Sequence, residues 1–439
     1  MRNDMNKQSF KLWVLLLLLL TSTGLFAQAE FNETIRFEAD INDEGTLEFI
    51  NRSFDTEIKT WNNNYVELQM NVQIKASKQA DIDETLRAIR QIEIKGTSAK
   101  RSVNTVFWES MNSNTNRHKI KLKTGETVVL KKFDIETTLF IPKTISMDID
   151  CKYADIEMES ISGEADFKVY SGKLYCQSIG GRASLDLRYS KAYMETMPEA
   201  SINLYDSDIE LTTCGNFTIE SKYSKVEIEN AGDMQFESYD DNYTIGKLGD
   251  TKGNAKYSEF DFGPSINLFF NFYDSNLNAK ETGTVKGECK YSDINIVSAN
   301  SVTIDKSYDD AFVLGPIGSF SCRESKYTEY AVASIDGDIL LKGYDDTFKV
   351  EKISDNFNHI NLEGKYSDFL LNIPENISFK ILLDQKYGKI DYPSENFERK
   401  TYIKENSKLF MDASTKNYKE GDGRLVEIKG YDNKVVIVN

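Results

Sequence analysis

The chain is short of the residues on which most catalytic and disulfide-stapled proteins depend. Its 439 residues include two histidines, five cysteines, six prolines and three tryptophans. The histidines, His118 and His359, fall in different regions, which leaves little for imidazole acid–base chemistry or a histidine-rich metal centre. An odd number of cysteines argues against a disulfide framework. Cys151 and Cys289 also occupy equivalent positions of a repeat eight coils apart, about 38 Å at about 4.8 Å per coil. A disulfide needs Cα atoms within about 7 Å, so Cys151, Cys176, Cys214, Cys289 and Cys322 read as small buried apolar residues. Positive charge is scarce too: 53 Lys and Arg face 70 Asp and Glu, a net charge of −17. No basic face broad enough for nucleic acid is expected.

Only one long apolar run exists, Leu12 to Leu20, and it is too short for a confident membrane span. Arg2, Lys7 and Lys11 precede it and Ala27-Gln28-Ala29 follows it. Residues 1–29 therefore read as a secretory signal peptide. No cysteine follows the run, which argues against a lipid anchor. With that segment removed, no span is left, and the mature chain is expected to be exported to the periplasm, the cell surface or the medium.

What the chain has in quantity is tyrosine (23), phenylalanine (25) and one recurring corner motif. The motif alternates between two forms. One is Lys-Tyr, as in CKYADI (151–156), SKYSKV (221–226), AKYSEF (255–260) and GKYSDF (364–369). The other is Tyr-Asp, as in LYDSDI (204–209), SYDDNY (238–243), FYDSNL (272–277) and GYDDTF (343–348). From Leu204 to Cys289 it returns every 17 residues. A short strict period with alternating apolar residues between corners predicts an all-β chain coiled into a single-stranded parallel β-helix, about 17 residues per coil. In the coil from Cys289, Ile294, Ile296, Val302 and Ile304 point inward. Ile209, Val226, Phe260, Ile294, Phe312 and Phe348 form one inward column. Glycines recur at the second turn of each coil (Gly163, Gly181, Gly215, Gly232, Gly249, Gly283, Gly318, Gly337), where positive φ is expected. The last coils lengthen to 21 residues, predicting a bulged loop near 355–359.

The predicted domains are residues 30–150, a β-rich region and solenoid cap with one helix over Asp81 to Ile94; residues 151–390, a solenoid of about fourteen coils; and residues 391–439, a C-terminal cap ending in a strand pair, Leu425 to Asn439. INRSFDTEIKTW (50–61), TTLFIPKTISMDIDCKYADIEM (137–158) and the recurring tyrosine turns resemble the "putative adhesin" family of exported bacterial β-strand-repeat proteins. That resemblance implies a right-handed β-helix in the envelope of a Gram-negative bacterium, and it transfers no catalytic residues.

Stacked corners place two outward columns side by side. One alternates Tyr170, Tyr205, Tyr239, Tyr273, Tyr308 and Tyr344 with lysines that include Lys222, Lys256 and Lys290. The other alternates Tyr with Asp. Alternation separates like charges and sets each lysine between tyrosine rings, suited to cation–π contact. Two readings of this ridge stay open: a ladder that fixes register, or a binding face for a surface glycan or protein. The pairs Asp240-Asp241, Asp309-Asp310 and Asp345-Asp346 lack calcium-loop spacing and read as solvated turn acids. No nucleophile–base pair, metal cluster or phosphate loop stands out, so no cofactor is expected. The expected function is a non-enzymatic, adhesin-like envelope protein. Alternatives are a periplasmic regulatory or scaffold protein with a membrane partner, or a carbohydrate-active enzyme.

Overall fold

The computed structural model describes residues 29–114, 117–419 and 421–438. The expected signal peptide, residues 1–29, lies outside them except for Ala29. The described chain is a right-handed parallel β-solenoid with one helix, Gln79–Ile89, near its start. Stacked residues follow the predicted register: Lys222 lies beside Tyr239, Tyr239 beside Lys256, and Lys256 beside Tyr273. One corner motif is therefore one coil. The spacing is 17 residues through the middle and 18 near the start, as from Met147 to Ala165. It reaches 21 between Ile339 and its neighbour Ile360, the expected lengthening.

The predicted inward column is buried throughout, and Tyr243, Leu277 and Tyr330 complete it. A strand whose alternate residues are large and apolar can bury them only by facing the coil interior. The five cysteines are buried and free. Burial pushes the thiols of Cys151, Cys176 and Cys214 up to about 12, leaving almost no reactive thiolate.

The second-turn glycines are placed as expected but for a different reason. None has positive φ. A Cβ at Gly163, Gly215 or Gly318 would instead collide with the carbonyl of Ile145, Pro198 or Asn300 in the preceding coil. Glycine is there because backbones approach closely. The left-handed conformation belongs to the corners. Ser53, Tyr153, Ser171, Tyr189, Asp206 and each corner onward to Tyr387 have φ between 48° and 65°.

The solenoid also takes in residues from outside 151–390. Thr46–Arg52 and Thr56–Trp61 form a coil of their own, stacked in parallel on Ser146–Lys152 and Ile156–Met158. On its other side lie Lys100–Asn104 and Thr127–Pro142. At the far end, the coil of His359–Lys365 is not followed by Lys380–Lys386. The C-terminal pair Leu425–Tyr431 and Lys434–Val438 slots between them. This corrects the expected columns, in which Lys365 adjoins Lys386. The inserted corner, Gly430-Tyr431-Asp432-Asn433, is of the Tyr-Asp form, so alternation continues as Lys365, Tyr431, Lys386. The corner motif marks where a segment stacks, even when sequence order does not. The antiparallel hairpin Phe397–Glu405 and Lys408–Thr415 then pairs along Lys380–Lys386.

Deleting residues 425–439 should open the stack between two coils and bring Lys365 toward Lys386. The expected result is loss of a single cooperative melt, followed by circular dichroism. A truncated chain that melts like the full-length protein would show that closure lies elsewhere.

Candidate functional site

Each corner has four working positions. The first faces inward, the second carries Lys or Tyr outward, the third is left-handed and carries Tyr or Asp outward, and the fourth turns back inside. Left-handed φ costs an L-residue roughly 1–2 kcal/mol, so something must offset it at every coil. Two arrays of contacts do so.

The first array is polar and buried. At the third position the N–H reaches the neighbouring coil's carbonyl, as from Tyr223 to Tyr239 and from Asp240 to Lys256. After the turn, the fourth N–H meets a side-chain oxygen of the next coil instead. Ser190, Ser207, Ser224, Asp241, Ser258 and Ser275 donate in turn to Ser207, Ser224, Asp241, Ser258, Ser275 and Ser292. Thr328, Asp346 and Ser367 continue the chain to Asn433. The Asp-Asp pairs therefore divide. Asp240, Asp309 and Asp345 are exposed, whereas Asp241, Asp310 and Asp346 are buried members of this ladder. The solvated reading holds only for the first of each pair, because the reversal at the third position turns the second inward.

Burial raises all three inner carboxyls above the ordinary range. For Asp241 and Asp310, serine hydroxyls (Ser238 and Ser307) and backbone N–H groups (Tyr239 and Tyr308) donate to Oδ2. Asp346 has Gly343 in place of that serine, and no well-aligned hydrogen bond reaches its Oδ2, although the Ser325 hydroxyl and the Tyr344 N–H lie near enough to favour the charged form in part. Its carboxyl is pushed up to about 6, chiefly by burial.

The second array is aromatic and outward. Tyrosines from the second position of one coil and the third of the next interleave into one zigzag. It runs Tyr153, Tyr170, Tyr189, Tyr205, Tyr223, Tyr239 and onward through Tyr366 and Tyr431 to Tyr387. Neighbouring ring centroids stay within 5.3–5.9 Å, every pair edge-to-face. Such pairs contribute about 0.5–1.5 kcal/mol beyond area, comparable with the corner strain. Lys290 Nζ sits 4.8 Å and 4.9 Å from the rings of Tyr291 and Tyr308, and Lys365 is placed likewise over Tyr366. These lysines lie over the ladder, whose main contact is ring to ring.

A groove of about 600 Å³ runs beside the ridge from Arg188 to Tyr273. It brings together Tyr205, Lys222, Tyr239, Lys256 and Tyr273. Tyr170, Tyr308, Tyr344 and Lys290 lie along the same ridge beyond the groove walls. The opposite wall is a column that the sequence reading missed: Asp186, Asn203, Glu220, Glu237, Asn254 and Asn271. Each stands two residues before its corner's second position, so period-2 alternation alone puts it on the same face. A second groove, lined by glutamates such as Glu157, Glu210 and Glu227, lies on the strands that follow the corner. Among the described residues no cluster of three or more His, Cys, Asp or Glu could hold a metal ion, and no helix is long and apolar enough to cross a membrane.

No family model matches the chain, and no curated protein matches it. Among the solved structures similar to it are two of low identity. One is a "putative cell adhesion protein" from Clostridium sporogenes ATCC 15579, with 8% identity over 93% of this chain and 99% of that one, at a TM-score of 0.18. The other is a "putative adhesin" from Parabacteroides merdae ATCC 43184, with 10% identity over 71% of this chain and 97% of that one, at a TM-score of 0.17. Similarity this low has no bearing on function.

Two stability measurements follow from the buried ladder. Ser275→Ala removes the acceptor for the Ser258 N–H and should cost about 1–3 kcal/mol in denaturant unfolding; an unchanged midpoint would remove the ladder's energetic role. Asp346 keeps its proton in the folded chain to a higher pH than in the unfolded chain, where the ordinary value is 3.8. Its contribution to stability is therefore present at low pH and lost as pH rises from about 4 to about 6. Asp346→Asn should stabilise the protein at pH 7 by about 2–3 kcal/mol and flatten that slope. Asn433 supplies the precedent: it occupies the same corner position after another glycine, accepts from Ser367 N–H and donates to the Gly364 carbonyl. A variant less stable at pH 7 would show that the carboxylate is better accommodated than its burial implies.

Proposed function

We propose that this chain is an exported, non-enzymatic binding protein of the bacterial cell envelope, adhesin-like in the sense of the family that its sequence resembles, and that it binds through the tyrosine–lysine ridge. The observation that carries this reading is the groove along the ridge. Partly exposed tyrosine rings, ammonium groups, amides and carboxylates line one continuous trough. Rigid aromatic side chains lose little entropy on contact and supply much of the energy at binding faces. The thiols are buried and the two histidines stand apart, one beside Ser113 and the other beside Glu427. The Ser113 hydroxyl and His118 Nδ1 do meet, at 3.0 Å, but on an exposed hairpin outside both grooves, so the pair takes no part in the ridge site.

The test is binding of the fluorescently labelled mature chain to intact bacterial cells and to a glycan array. Lys222→Glu with Lys256→Glu should lower binding at least about tenfold, a loss of about 1.4 kcal/mol or more, while the melting temperature holds. Glu210→Ala with Glu227→Ala, on the other face, should leave binding unchanged. The reverse pattern would make the ridge a stacking device only. Protease accessibility on whole cells separates a surface location from a periplasmic one.

A further inference from the structure

The groove has a chemical period as well as a shape. Along its ridge wall the corners alternate cation and ring: Arg188, Tyr205, Lys222, Tyr239, Lys256, Tyr273. One full alternation takes two coils, about 9.6 Å at about 4.8 Å per coil. The facing wall offers amides at Asn203, Asn254 and Asn271 and carboxylates at Asp186, Glu220 and Glu237. The three acids balance Arg188, Lys222 and Lys256. One of these charges is already paired across the groove, Arg188 Nε lying 3.1 Å from Asp186, and Glu237 accepts from the Asn254 amide at 2.6 Å.

We infer that the groove's ligand is an uncharged, extended β-linked polysaccharide, lying along the solenoid axis with one disaccharide per two coils. This rests on the ridge being the binding face. A two-coil step is close to the length of one disaccharide in an extended β-linked chain. Each unit would meet one tyrosine ring against the C–H face of a sugar, and one cation and one amide or carboxylate against its hydroxyls. Hydroxyls both donate and accept, which the mixed walls require. An anionic polymer gains nothing from a trough with balanced charge inside a chain of net charge −17. An extended peptide repeats every two residues, about 6.8 Å, out of step with the corners. Strand addition also needs a free backbone edge, and the groove is walled by side chains of strands paired on both sides. A polyproline helix comes closer in period, at about 9.3 Å per turn. It lacks N–H donors, so the carboxylate wall would be left without partners.

The test titrates the full mature chain with water-soluble cello- and chito-oligosaccharides of two to ten units, by calorimetry. The groove is about 24 Å long at about 4.8 Å per coil. Affinity should therefore rise by at least about tenfold from two units to five or six and then level off. Asn203→Ala, Asn254→Ala and Asn271→Ala together touch no ring of the ladder. They should weaken the hexamer by at least about tenfold with the melting temperature unchanged. A length series that climbs without a plateau, a preference for an anionic polysaccharide, or competition by a proline-rich peptide would each overturn the inference. If no oligosaccharide binds while the lysine variants still lose cell binding, the ligand class is wrong and the ridge reading survives. If neither is affected, both fall.

Discussion

The structure depends on one backbone N–H per coil. A chain that closes a coil with a single left-handed residue turns the next N–H away from the backbone ladder and into the interior. An unpaired buried donor costs about 1–3 kcal/mol, and the cost would recur at every coil. The chain meets it with a serine, aspartate or asparagine whose oxygen faces the preceding coil. That choice explains why the motif keeps a small polar residue after its tyrosine or aspartate. It also explains why an acidic residue is tolerated in an otherwise apolar coil.

The two arrays share the corner between them. The inner one satisfies the backbone, and the outer one spreads edge-to-face contact over the ridge. Tyrosine is an unfavourable residue for positive φ, yet it holds the third position in the Lys-Tyr coils. The left-handed turn aims its ring at the ring of the next coil, and the alternation of forms interleaves tyrosines from two positions. A corner of all one form would leave each ring facing a ring from the same position and would stack like charges.

Much of this was legible in sequence. The 17-residue period gave the coil, and alternation gave the inward column from Ile209 to Phe348. The ridge residues followed from the motif itself. Three things were hidden. Glycine was read as a source of positive φ because that is its commonest use, whereas the strained residue here is Tyr or Asp. The burial of Asp241, Asp310 and Asp346 depends on the sense of one dihedral, which no composition rule carries. The insertion of Leu425–Val438 breaks the link between sequence order and stacking order. Its signal was present all the same: two successive Lys-Tyr corners, at Lys365 and Lys386, violated the alternation, and the missing Tyr-Asp corner lay at Tyr431. The polar wall of the groove was equally available from period-2 spacing, but a motif draws the eye to its own letters.

A linear stack of repeats ordinarily frays from its ends, because a terminal coil has one neighbour and can peel away alone. Here the coil built from Thr46–Trp61 and the one built from Leu425–Val438 each lie between two others that come from distant parts of the chain. Peeling either one separates partners on both sides at once. Unravelling then has no cheap first step, and the protein's lifetime in the folded state is set by a barrier that both ends of the chain raise together.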